Sequence, residues 1–227
     1  MTQTQTKTLR VKEGRTELTT DHNGRDLTFV APSYGPNTYA QVGEQIDAAG
    51  LQRPTMAETA SLVHTAFNSD DKYSTEIKQI MKDRWLWVFE KNLYLPGKGV
   101  YIYPQPKGGI PNMTESELER KLEASDPSVR FVPFGYETGS MSSMKLSKNP
   151  YVIALAGEEG AEKLAEVADK FEQEPCLYSY KSVNQRLEGV SALYSSRYLG
   201  RWLGVFGFNH GDVRGGLAFG VCSAREK

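Results

Sequence analysis

The chain has 227 residues, with 27 Lys and Arg against 28 Asp and Glu and a net charge of −1. That balance leaves no electrostatic footprint for nucleic acid or an anionic membrane, and no apolar run approaches the ~20 residues needed to span a bilayer. The N-terminus, MTQTQTKTLRVKEGRTELTT, lacks the apolar stretch of a secretory signal, so a cytoplasmic or virion-associated location is expected.

Two cysteines, Cys176 and Cys222, are too few for a disulfide scaffold. They form either one bridge or two thiols, and the absence of an export signal favours thiols. No repeat or linker divides the sequence. The expectation is one α+β domain over residues 1–227, large enough to bury roughly 70–75% of its unfolded surface.

In chain order, residues 1–6 are a Thr/Gln run expected to be disordered. Leu9-Arg-Val11 starts a strand. Asp21-His-Asn-Gly24 is a turn signal joining it to a second strand, Leu27–Ala31, which should end at Pro32. Ser33–Asn37 reads as a loop. Three helices follow: Thr38–Ala48 with Asn37 as cap, one after Thr55 with Glu58 as capping-box partner, and one near Tyr73–Lys82 behind Asp70 and Asp71.

Trp85–Leu95 and Val100–Tyr103 flank Pro96-Gly97-Lys98-Gly99 and make the clearest hairpin in the sequence. Alternation puts Trp85, Trp87 and Phe89 on one face and Leu86 and Val88 on the other, and the apolar content of both sides predicts a strand buried on both. Pro104–Pro111 reads as an irregular loop. Thr114-Glu-Ser-Glu117 opens a charged helix to about Ala124. Val129–Phe134 reads as an edge strand because it holds Pro133, and Gly135–Lys148 as a mobile loop. A helix is expected from Ala156, opened by Gly157-Glu-Glu-Gly160, with Leu164, Val167, Ala168 and Phe171 facing inward. Leu177–Tyr180 then leads into the tail.

Catalytic and metal motifs are missing: there is no GxSxG, HExxH, CxxC or P-loop. His64 has Ala60 and Asn68 at i±4, which is no ligand pair. His22 sits in a turn. His210, with Asn209 and Asp212, is the one concentrated polar cluster, but it lacks the acidic density of a calcium loop. No catalytic residue, metal or cofactor is therefore assigned.

The tail, Leu187–Cys222, is the richest in Gly and aromatic residues. Val190–Leu193 and Leu203–Phe206 read as strands, and Leu217, Phe219 and Val221 alternate as in a half-buried strand. Two loops lie between them. Tyr194, Ser195, Ser196, Arg197 and Tyr198, followed by Trp202, form the first; Phe206, Phe208, Asn209, His210 and Asp212 mark the second. Tyr, Ser, Gly and Asn with Trp and Arg anchors are the residues of adaptable recognition loops, and these eleven positions are the predicted ligand-binding set.

Leu203-Gly-Val-Phe-Gly207 and Gly216-Leu-Ala-Phe-Gly-Val221 resemble the end of the C-type lectin fold, in the variant used by formylglycine-generating enzymes and by variable proteins of diversity-generating retroelements. The resemblance implies a lectin-type core with short antiparallel strands and several helices. Of the two, the retroelement proteins fit better. They display a diversified C-terminal region, here 187–223, in which adenine-directed changes yield Tyr, Ser, Asp, His, Phe and Gly. The implied function is non-enzymatic display of a binding surface to a protein or other surface partner. A Glu-Pro-Asn-like calcium motif is missing, so sugar binding is not carried over. Two other classes remain open: an enzyme with His64, His210 and Cys222 converging in a cleft, and a viral or structural assembly component joined through the hairpin aromatics. Oligomeric state is left open.

Overall fold

The computed structural model describes residues 10–12, 15–104, 113–195, 202–209 and 211–222. The expected disordered start, the Pro/Gly loop after Pro104, and Ser196, Arg197, Tyr198 and His210 lie outside the described residues. The fold is mixed α and β, with six helices and eleven strands among the described residues, and the strands form one mostly antiparallel sheet.

Strands β1 (Arg10–Lys12), β2 (Arg15–His22) and β3 (Arg25–Asn37) form a meander. Its β2–β3 turn is Asn23-Gly24, both with positive φ, as a two-residue hairpin of this kind requires. β3 does not stop at Pro32. It runs on to Asn37, because past Ala31 it has lost β2 and pairs only with the last strand, β11 (Gly216–Val221). A strand with one open edge tolerates a missing N–H.

Helix α1 (Tyr39–Ala48) is capped by Thr38, whose hydroxyl accepts from Gln41 N–H; Asn37 instead accepts from Thr38 N–H at 3.0 Å. α2 (Met56–Phe67) has the full Thr55/Glu58 capping box, and in α3 (Lys72–Asp83) Asp71 accepts from the Tyr73 and Ser74 amides. β4 (Leu86–Leu95) and β5 (Gly99–Pro104) make the expected hairpin, followed by α4 (Glu115–Glu123) with its Thr114/Glu117 box and by the edge strand β6 (Arg130–Pro133), which pairs with β5 alone.

The expected mobile loop is instead structured: it holds β7 (Gly139–Ser140) and α5 (Ser143–Ser147), anchored by buried Tyr136, Met141 and Leu146. α6 (Pro150–Ala168) starts well before Ala156. Asn149 caps it, accepting from Tyr151 N–H, and Pro150 occupies its first position, where no N–H is needed. Gly157, with φ 74°, is non-helical and divides α6 in two: the stretch expected from the sequence follows it, and a further stretch from Pro150 precedes it. β8 (Cys176–Tyr178), β9 (Leu187–Tyr194) and β10 (Gly204–Asn209) complete the sheet, with β8 parallel to β10 and β9 between β10 and β4.

β4 separates two buried faces by simple alternation. Leu86, Val88 and Tyr94 join the core under α2, α3, α5 and α6. Trp87 and Phe89 join a second core under α1, while Leu93 and Leu95 join a third with Leu118 of α4. β11 is likewise buried on both faces, not half-buried: Leu217, Phe219 and Val221 enter the first core. On its other side Gly216, Ala218 and Gly220 are small because Trp87 and Leu51 press directly on the backbone there.

Candidate ligand-binding surface

On the face shared with α1 and α4, the strands β8, β9 and β10 are left partly open. Sheet register builds two rows across it. One runs Trp87, Ala192, Phe206, Tyr178 through β4, β9, β10 and β8. The next row sets Tyr194 beside Gly204 and Cys176. Large and small residues alternate: the hydrogen of Gly204 leaves the space the Phe206 ring fills, for a Cβ there would lie 2.6 Å from Phe206 Cε2.

That alternation lets the rings touch in a continuous array. Trp85 stacks on Tyr194 with centroids 4.5 Å apart and meets Phe206 edge-on at 4.6 Å. Phe206 stacks on Tyr178 at 4.2 Å, nearly parallel at 6°. Phe208 continues it, 5.0 Å from Tyr180. Trp202 and Cys176 close one end, both within reach of the Tyr178 hydroxyl. Burial pushes the Cys176 thiol up, against the hydrogen bond from Tyr178, so this thiol is the opposite of an activated nucleophile. All seven aromatic rings from Trp85 to Phe208 are half-buried.

Of the predicted set, Tyr194, Trp202, Phe206 and Phe208 therefore meet on one surface. Ser195 does not: it is buried, and its N–H donates to Met81 O of α3 at 2.8 Å, which turns it into the structure. Asp212 is exposed beyond the other end of β10, where Gly211 O accepts Tyr39 N–H. Asn209 ends β10, and its side chain is outside the described residues. Sequence reasoning missed Trp85, Tyr178 and Tyr180. Tyr178 belongs to β8, whose neighbour β10 lies far along the chain, and Tyr180 sits past the end of β8, where it touches both Phe208 and Tyr94 of the helix-side core at 5.0 Å.

The residues of the other readings are scattered. His64 bonds Glu166 at 2.6 Å between α2 and α6, and His22 bonds Ser61 at 3.0 Å. Cys222 packs against the α1 core, across the sheet from His64. The two cysteines are not joined in a disulfide. Among the described residues no group of three or more His, Cys, Asp or Glu could hold a metal ion, and no helix is long and apolar enough to cross a membrane. Of the hairpin aromatics, Trp87, Phe89, Tyr94, Tyr101 and Tyr103 are buried within the chain, so only Trp85 reaches a surface.

Comparison with protein-family models, curated proteins and solved structures finds no match to this chain.

Proposed function

We propose that the chain is a non-enzymatic binding protein that presents the open aromatic face of β8, β9 and β10, with the neighbouring tail residues, to a protein partner. The observation that carries this reading is the stacked array Trp85, Tyr194, Phe206, Tyr178, half-exposed on a sheet face whose other parts α1 and α4 cover. A contiguous half-exposed aromatic patch on an otherwise buried sheet is characteristic of recognition surfaces.

Ring geometry favours protein over sugar or nucleobase. Trp85 stacks with Trp87 at 6.0 Å and with Tyr194 at 4.5 Å, and Phe206 gives a face to Tyr178. Stacking a base or sugar needs an open ring face. Here faces are turned to each other, which leaves ring edges, the positive part of the aromatic quadrupole, and hydroxyl groups to meet carbonyls and polar side chains.

The C-type lectin-type scaffold and the diversified tail belong to the same proposal. Their support is a division of labour. The matched segments Leu203–Gly207 and Gly216–Val221 lie in and beside β10 and β11, whose inward side chains are buried. The candidate variable residues Tyr194, Trp202 and Phe208 lie at the strand ends and on the open face.

Two measurements test it. A finished genome is expected to hold an inexact second copy of the segment encoding 187–223, differing at adenines, beside a reverse transcriptase; a genome with neither removes the retroelement part. Partner capture by the wild type should be lost with Phe208→Ala at about 30-fold or more, the ~2 kcal/mol of a hot-spot aromatic. Equal capture by the folded variant overturns the surface assignment.

A further inference from the structure

Away from that surface, one buried acid has no task in the binding reading. β4 leaves its ladder for two residues: Val88 pairs with Ser191 and Lys91 with Val190, so Phe89 and Glu90 bulge. The bulge meets the start of α2. Phe89 N–H donates to Pro54 O at 2.8 Å, and Met56 N–H, the first amide of α2, donates to both Glu90 carboxylate oxygens at 2.9 and 3.1 Å. Glu90 is 0% exposed, and Met56 N–H is its one hydrogen-bond donor among the described residues.

The groups around it do not replace water. From β6, the Arg130 charge favours the ionised carboxyl, but from α2 Glu58 opposes it. Tyr39 of α1 lies within electrostatic reach, itself under the influence of Arg53 and of Tyr103 on β5. Three buried polar atoms, Tyr39 Oη, Thr59 Oγ1 and Arg130 Nε, have no hydrogen-bond partner among the described residues. Thr59 sits one turn along α2 from Met56. The buried carboxyl thus has one engaged donor, the Met56 amide, where water would supply several.

We propose that the Glu90 carboxyl is a pH-sensitive latch: protonated, it holds the start of α2 against the β4 bulge, and ionised, it opens that junction to water. Burial is the largest influence on Glu90 and outweighs Arg130 and the Met56 amide, raising its pKa from 4.5 to about 8. The sign follows from linkage. Between those two values the folded chain binds a proton that the opened chain releases, so the closed junction is most stable below about 4.5, weakens as pH rises, and has lost the whole contribution above about 8.

The latch does not depend on the proposed binding surface, and its readout needs no ligand. Amide hydrogen exchange of Met56 and Phe89 in the full chain, normalised to the intrinsic rate at each pH, should show protection falling up to about tenfold per pH unit from pH 5 to 8 and levelling above, the slope of one proton. Glu90→Gln should flatten that profile. Protection independent of pH in the wild type, or an unchanged fall in E90Q, overturns the proposal. Should E90Q fail to fold, carboxyl-carbon NMR of the wild type decides: titration of Glu90 well above the ordinary glutamate range supports the latch, and titration at or below it overturns it.

Discussion

The tyrosines on the two sides of the central strands are held by different physics. Beneath α6, hydroxyls form a chain. Tyr136 and Tyr94 both bond Ser179 Oγ, at 2.9 and 3.0 Å; Tyr94 donates to Gly207 O; Tyr151 donates to Asn92 Oδ1; and Asn92 donates to Ser191 Oγ. Burial raises the pKa of Tyr94 and Tyr151, which keeps these hydroxyls neutral donors throughout the working range. On the opposite face Tyr178 and Tyr194 are half-exposed and held by ring contacts. A buried hydroxyl must be paired or it costs free energy, so the first arrangement specifies each neighbour. Rings packed on rings at a surface accept other rings. The same residue type thus fixes the fold on one side and remains replaceable on the other, which is what a display surface requires.

The comparison breaks most visibly in the core beneath the helices. Phe219 of β11 is 3% exposed in that core, and Phe219→Ala should cost about 3–5 kcal/mol in denaturant unfolding. A smaller loss would mean that the terminal strand is dispensable to the sheet. The hydroxyl chain comes next. Tyr151→Phe keeps the ring and removes one donor, leaving Asn92 Oδ1 buried without it, and should cost about 1–3 kcal/mol. An unchanged midpoint would show the chain to be incidental to stability.

How far the sequence showed this division depends on how local each signal is. The capping boxes at Thr55 and Thr114 and the Asn23-Gly24 turn were legible because a cap or a two-residue turn is decided by neighbours in the chain. The hairpin around Pro96-Gly97 was legible for the same reason. The extension of β3 past Pro32 was not, because it depends on pairing with β11 at the other end of the chain. Nor was the start of α6: Asn149-Pro150 carries the signal, but the helix breaks at Gly157, and the periodic pattern marks only the stretch after the break. Strict alternation in Leu217, Phe219 and Val221 suggested one wet face. The intervening Gly216, Ala218 and Gly220 were instead a mark of close packing. At the surface, composition pointed to Tyr194, Trp202, Phe206 and Phe208, but only the parallel pairing of β8 with β10 adds Tyr178.

The smallest expected effect sharpens the comparison most. Read as a loop residue, Tyr194 should be removable at a cost within about 0.5 kcal/mol. The structure revises that figure, because Tyr194 ends β9 and stacks on Trp85 at 4.5 Å. An aromatic pair of this kind contributes about 0.5–1.5 kcal/mol, so Tyr194→Ala should lower stability by that amount and still fold. Tyr194→Phe or Tyr194→Trp should restore it, since the contact asks for a ring and no partner for the Tyr194 hydroxyl is seen among the described residues. The contrast with Tyr151 is then direct: Tyr151→Phe destabilises and Tyr194→Phe does not, measured by the same urea midpoint. If both phenylalanine variants lose comparable stability, the Tyr194 hydroxyl is part of the structure, and the open face is core after all.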